Sequence, residues 1–162
     1  MKQIKKIFHI ADVHIRNLKR HKEYIEVFNR LYDYIKSEKD ESSIIVLAGD
    51  IVHAKTDMTP EVVDMTQNFL KSLSDILPTI LIPGNHDANL NNPSRLDALT
   101  PIVNALNHPN LYYYKDTVEF IYGDISFTHK SVFDSDKGFP SPPNNNLTKI
   151  ALYHGAVDGI QT

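Results

Sequence analysis

An α/β fold, with a largely parallel inner sheet covered by helices, is what this 162-residue sequence predicts. Two features point to it. In the first half, short apolar runs of strand length alternate three times with longer segments of helical periodicity, the pattern of βαβ units. Each of those apolar runs then ends abruptly in glycine, aspartate or histidine.

The first run, Ile4 to Ala11 (IKKIFHIA), is rich in β-formers and breaks at a charged loop, so it reads as a strand. Tyr24, Val27, Phe28, Leu31, Tyr34 and Ile35 recur at three- and four-residue steps, which predicts an amphipathic helix over 22–38. Ile44 to Leu47 is a second strand, closed by Ala48-Gly49-Asp50. Thr59-Pro60-Glu61 is a helix start, with a hydroxyl N-cap, proline at the first helical position and an acid in the first turn. Val62, Thr66, Phe69, Leu70, Leu73, Ile76 and Leu77 continue that helix until Pro78. Thr79 to Ile82 is a third strand, ended by Pro83-Gly84-Asn85. Residues 94–107 read as helical, interrupted near Pro101. Leu111–Tyr114, Val118–Ile121 and Ile125–His129 are short strands, the last two joined by a tight turn at Gly123-Asp124. Residues 134–147 are rich in proline, glycine and asparagine and read as a loop. Ile150 to Tyr153 is a last strand, ended by His154-Gly155.

The length suits one domain, at roughly 100–200 residues each, and neither repeats nor an internal linker divide it. No apolar run approaches the roughly 20 residues that a membrane span needs. The N-terminal stretch is broken by His9 and Asp12, unlike a signal peptide. With no cysteine, disulfides, thiolate metal sites and cysteine nucleophiles are excluded together. These features suit a cytoplasmic location, or an intracellular viral or phage one. The net charge is −3, but its distribution is uneven. The first 22 residues carry seven Lys and Arg against the single acid Asp12, so the remainder is strongly acidic.

The chemistry sits where the apolar runs stop. Asp12 and His14 follow the first strand; Asp50 and then His53 follow the second; Asn85, His86 and Asp87 follow the third; His154 follows the last. In an open α/β sheet ligands lie beyond the carboxyl ends of the strands, so these residues are expected to converge. Carboxylate, amide and imidazole donors without sulfur suit a hard to borderline divalent ion. Asp12 and His14, one residue apart, can face one ion, and the Asp50 carboxylate has two oxygens with which to bridge two. A pair of ions roughly 3.5–4 Å apart clamps a phosphate and activates a water. Gly49 and Gly84 let the backbone turn sharply beside them.

The stretches HIADVH, VLAGDIVHAK, LIPGNHDA and ALYHGAV resemble the calcineurin-like metallophosphoesterase superfamily. Within it the chain is most similar to the nuclease subunit of SbcCD- and MRN-type DNA-repair complexes, including phage recombination endonuclease subunits. The resemblance implies layered β-sheets flanked by helices and two divalent ions, usually manganese. It implies that Asp12 and His14 bind one ion, that Asp50 bridges, and that Asn85 and His154 bind the other. It gives His86 the catalytic role, stabilising charge on the phosphate or protonating the leaving oxygen, and His53 a part in substrate handling. The implied activity is exonuclease and endonuclease cleavage of DNA in repair and recombination. The implied partners are DNA, an SMC-like ATPase subunit and a second copy of the chain. In place of the phosphatase pattern Gly-Asp-x-Val-Asp-Arg-Gly, this chain has Gly49-Asp50-Ile51-Val52-His53-Ala54-Lys55, which favours the nuclease branch. The superfamily's final Gly-His-x-His motif does not occur before Thr162, nor do its capping and ATPase-binding regions. The expectation is therefore a C-terminally incomplete catalytic domain with weak metal binding and little activity.

Around this centre, Arg16, Lys19 and Arg20, with Lys22, are candidate contacts to DNA phosphates, as is Arg95 at a helix start. Asp87 is a candidate to orient His86 by accepting a hydrogen bond from it, or to cap the next segment. His9 is expected to be buried and bonded to backbone, and Tyr112-Tyr113-Tyr114 to pack into the core rather than stack on bases. The competing functions are a small-molecule or cyclic-nucleotide phosphodiesterase, and an inactive scaffold domain.

Overall fold

The computed structural model describes residues 2–92, 94–134 and 136–155. Four strands, β1 (Lys6–Ile10), β2 (Ser43–Ala48), β3 (Thr79–Ile82) and β4 (Leu111–Tyr113), form one parallel sheet in chain order. The crossovers between them carry α1 (His21–Glu38), α2 (Pro60–Ile76) and α3 (Thr100–Leu106). Connections of one hand that add strands in one direction put their helices on one face. That face holds the larger core: Ile45, Leu47 and Leu81 from the sheet pack with Phe28 and Ile35 of α1, Phe69, Leu70 and Leu73 of α2, and Ile102 of α3.

The other face is covered by a second sheet, not by helices. Its strands are β5 (Val118–Tyr122), β6 (Ile125–Lys130) and β7 (Thr148–Tyr153), in that order. β5 and β6 are an antiparallel hairpin, and β7 runs parallel to β6. Side chains alternate across a strand, so β2 sends Ile44, Val46 and Ala48 toward this second sheet, where they meet Ile80, Ile82, Ile125, Phe127 and Leu152. Every residue of β2 is buried as a result.

The hairpin turn also secures the N-terminal segment. Gly123 has φ +58°, and a Cβ there would lie 2.5 Å from the Lys2 carbonyl oxygen. Beside it the Asp124 carboxylate accepts the Ile4 N–H at 2.7 Å.

Several expectations change in detail. Thr59 precedes α2, but its hydroxyl donates to Asn17 Oδ1 at 3.0 Å and makes no cap bond. Pro101 does not interrupt a helix over 94–107; it lies in the first turn of the shorter α3. Asp97 supplies the start, accepting the N–H groups of Leu99 and Thr100 at 2.9 and 2.7 Å. Arg95 is therefore on an exposed turn, outside any helix. The tyrosine run divides as alternation requires: Tyr113 packs on the helix side and donates to Asp97 at 3.1 Å, while Tyr114 stacks on Phe120 with centroids 3.7 Å apart. His9 is exposed, although it shares the face of Ile7, because β1 is an edge strand.

The buried histidine is His129, on the face of β6 that carries Ile125 and Phe127. Its Nδ1 lies 3.0 Å from the Asp116 carbonyl oxygen, and Nε2 has no partner. Burial pushes its pKa down to about 4. A base whose folded pKa is depressed takes up its proton more readily when unfolded, so stability is lost as pH falls from the unfolded value near 6.5 through about 4. Chemical denaturation should show this loss, on the order of 2–3 kcal/mol across the window. The His129→Gln variant should show a correspondingly flatter profile than the parent.

Candidate metal centre

The loops that leave β1 and β2 are joined as a continuation of the sheet. Asp12 N–H donates to Gly49 O at 3.2 Å, His14 N–H to Asp50 O at 2.9 Å, Ile15 N–H to Ile51 O at 2.9 Å, and His53 N–H to Ile15 O at 3.0 Å. Within this ladder Asp12, His14 and Asp50 have φ of 56°, 50° and 53°. Left-handed backbone at three non-glycine residues is costly, and it clusters where surrounding structure holds it in place. Here it turns the three side chains to one side. Tyr24 of α1 adds a brace, its hydroxyl donating to the His14 carbonyl oxygen at 2.5 Å.

Asp50 lies at the middle, with its side chain only 4% exposed. One carboxylate oxygen, Oδ1, accepts the His86 backbone N–H at 2.8 Å. The other, Oδ2, is 3.2 Å from His154 Nε2 and 3.5 Å from His14 Nε2. Asp12 Oδ1 stands 3.7 Å from the same His14 nitrogen. Asp12, Asp50 and His154 thus offer donors within 4.8 Å of one another, and His14, His53 and His86 form a second such group. Asn85 is exposed on the β3 loop; its backbone carbonyl oxygen accepts from Lys55 Nζ at 3.3 Å.

The glycines are steric necessities at this point. A Cβ on Gly49, whose φ is +87°, would lie 2.6 Å from the His154 ring and 2.8 Å from Gly84 Cα. A Cβ on Gly84 would overlap Asp50 Oδ1 and the Asp50 backbone nitrogen.

Burial alone raises the Asp50 pKa, but the bonds from His154 and from the His86 N–H outweigh it and hold the carboxyl below its ordinary value. The same bond to Asp50 is the main cause that pushes His154 up to about 9. His154 Nδ1 lies 2.6 Å from the Ala48 carbonyl, which directs Nε2 at Asp50. A ring whose far nitrogen is held by a carbonyl is set up as a metal donor, and loss of the Nε2 proton is linked to binding a cation. The donor set fits a divalent ion: oxygen and imidazole nitrogen converge on one buried carboxylate, and His14 Nδ1 is a buried atom without a hydrogen-bond partner.

Asp87 belongs to this centre differently from the expected role. None of its hydrogen bonds goes to the His86 ring. Its buried carboxylate accepts the N–H groups of Gly84, Val52 and Ile51 at 2.9, 2.9 and 3.3 Å, tying the β3 loop to the β2 loop. Burial still drives its pKa up to about 6. The His86 ring is held instead through Nδ1, 2.6 Å from the His53 carbonyl, and it stacks on the His53 ring at 5.5 Å. The His53 pKa is lowered, first by burial and then by the charges of Arg16, His14, His86 and Lys19.

Arg16, Lys19 and Arg20 are exposed and, with His14 and Tyr24, line a depression that opens beside the centre. Arg95 has no bond to any of these residues among the described ones. Tyr24 and Lys55 escaped sequence reading because nothing local marks them; both brace loops distant in the chain. Of the stretch ALYHGAV, Ala156 and Val157 lie outside the described residues, as does Thr162.

The family model described as calcineurin-like phosphoesterase matches this chain over residues 5–159. The chain is also similar to an uncharacterized protein of Acanthamoeba polyphaga mimivirus: 48% identical over 171 aligned positions that cover 99% of the chain. It spans 13% of that protein's length.

The buried carboxylates of Asp50 and Asp87 should separate cleanly on substitution. Asp87→Ala strands three backbone donors and should cost on the order of 3 kcal/mol in urea unfolding. Asp50→Ala should instead abolish the heat of divalent-cation binding in calorimetric titration. Gly84→Ala should impair both properties.

Proposed function

The chain belongs to the calcineurin-like phosphoesterase family, whose activity is metal-dependent phosphoester hydrolysis, and we propose that it is a nuclease acting on DNA phosphodiesters. The observation that carries the reading is the basic depression at the centre. Arg16, Lys19 and Arg20 line it together with His14, one of the residues around Asp50. Arg20 is paired with Glu23 at 3.4 Å, but Arg16 and Lys19 have no carboxylate partner among the described residues, which suits a polyanionic strand held through its phosphates without base readout.

In this reading Asp12, His14, Asp50, Asn85 and His154 hold the ions, with manganese the preferred metal. Bound there, divalent ions supply Lewis-acid polarisation of the phosphoryl oxygens and acidify water. The chain's own residues do the rest. His86 Nδ1 is occupied by the His53 carbonyl at 2.6 Å, so Nε2 is the nitrogen left for the substrate. When protonated, it donates to a phosphoryl or leaving oxygen as general acid. The bond from the His86 N–H to Asp50 sets the height of that ring against the carboxylate. His53, stacked on His86, positions the scissile phosphate. An SMC-like ATPase subunit and a second copy of the chain are the partners this reading brings with it, in an intracellular setting.

Manganese-dependent cleavage of a DNA oligonucleotide tests the reading. His86→Ala should lower the rate about 10²–10⁴-fold. Arg16→Ala with Lys19→Ala should flatten the slope of log affinity against log salt by about two. Hydrolysis of small diesters with no cleavage of DNA would overturn the assignment to a nuclease.

A further inference from the structure

A second cluster of chemistry-bearing side chains lies at the end of β7, outside the centre already described. Lys130, the last residue of β6, is 9% exposed. Among the described residues it has no carboxylate partner and no hydrogen bond from Nζ. Its ammonium faces two rings instead, 4.8 Å from the Phe139 centroid and 5.9 Å from that of Tyr153. The rings meet edge to face at 5.1 Å and 69°. Phe139 is 57% exposed, carried on the proline-rich loop that also bonds to β6 through Asn145 Nδ2 and Ser126 Oγ at 3.2 Å.

The comparison with Lys115 is informative. That lysine also lies over a ring, Phe133 at 4.8 Å, but it has a counter-ion, Asp97, at 3.2 Å. Lys130 is buried, faces the adjoining Phe139 and Tyr153 rings and has no counter-ion among the described residues. Ring quadrupoles stabilise a cation but do not neutralise it. An exposed Phe139 ring beside a cation with no counter-ion among the described residues matches a ligand that carries a flat face and a negative charge together.

The cluster's position gives that ligand a context. Tyr153 immediately precedes His154, and consecutive strand residues leave on opposite faces. His154 turns inward to Asp50 and Tyr153 turns outward to Phe139 and Lys130. The basic depression begins at His14 and the aromatic cluster at the neighbour of His154, and these two histidines share the same oxygen of Asp50.

The geometry points to Lys130, Phe139 and Tyr153 as a nucleotide subsite flanking the centre, Lys130 taking a phosphate and Phe139 stacking on the base. The subsite rests on the DNA reading above and extends it to unpaired strands, since only an unpaired base exposes its face.

The test needs no activity. Binding of a fluorescein-labelled oligothymidylate is followed by anisotropy in chelator-containing buffer, with the fold of each variant checked by its melting temperature. Lys130→Met keeps the stem and removes the charge; with Phe139→Ala, it should weaken binding about tenfold each. The sequence has no tryptophan, so Phe139→Trp introduces a single indole on an exposed loop. Its emission should be quenched saturably by oligothymidylate, and less by an abasic strand of equal charge. Bound oligonucleotide with unchanged indole emission, and unchanged affinity in Lys130→Met, would overturn the subsite alone. No binding of oligothymidylate by the parent protein would overturn the subsite and the DNA reading together.

Discussion

A carboxylate taken out of water must be matched by donors, and the meeting of four loops in this protein is organised around one such group. Asp50 has its side chain almost fully buried, and its two oxygens face the backbone of the β3 loop on one side and the imidazoles of His14 and His154 on the other. Each of these partners comes from a different strand end. The cost of burying the charge is recovered only if all of them arrive, so the loops are fixed relative to one another before any ligand binds. Asp87 makes the same argument in backbone terms, since three N–H groups from two loops converge on a single carboxylate. Close approach of the loops then leaves no room for a side chain at Gly49 or Gly84.

Strain accompanies this arrangement. Asp12, His14 and Asp50 adopt left-handed backbone although none is glycine. The hydrogen-bonded ladder between the first two loops and the Tyr24 brace supply the constraint that keeps them there. What results is a set of donors aimed before a cation arrives, which reduces the reorganisation that binding demands.

The sequence made the parallel sheet legible because its strands are short apolar runs separated by helices of clear periodicity, and Ile44 to Leu47 needed no tertiary knowledge to be read as a strand. The candidate site was legible for a related reason: polar residues directly after apolar runs are cheap to notice and must lie at one end of the sheet. The rest depended on contacts between distant segments. That β4 joins the first sheet while β5 to β7 form another is decided by packing, not by local propensity. Asp87 was placed beside His86 by adjacency, but a carboxylate follows the strongest set of donors, and those were backbone groups of the neighbouring loops. His9 was expected to be buried and is exposed because it lies on an edge strand, a position that a single strand's sequence does not reveal.

Among the described residues, His154 is the one member of the centre that the second sheet supplies, and its bond to Ala48 joins residues 106 positions apart in the chain. Closing so long a loop is slow and entropically late in folding, since local contacts form first. The βαβ half can therefore gain its core before docking of β7 brings His154 to the centre. Sub-global opening of that last strand would undo the centre without melting the parallel sheet. Competence to bind a cation consequently reports on the completion of folding, and fraying of β7 sets a limit on how long the assembled centre persists.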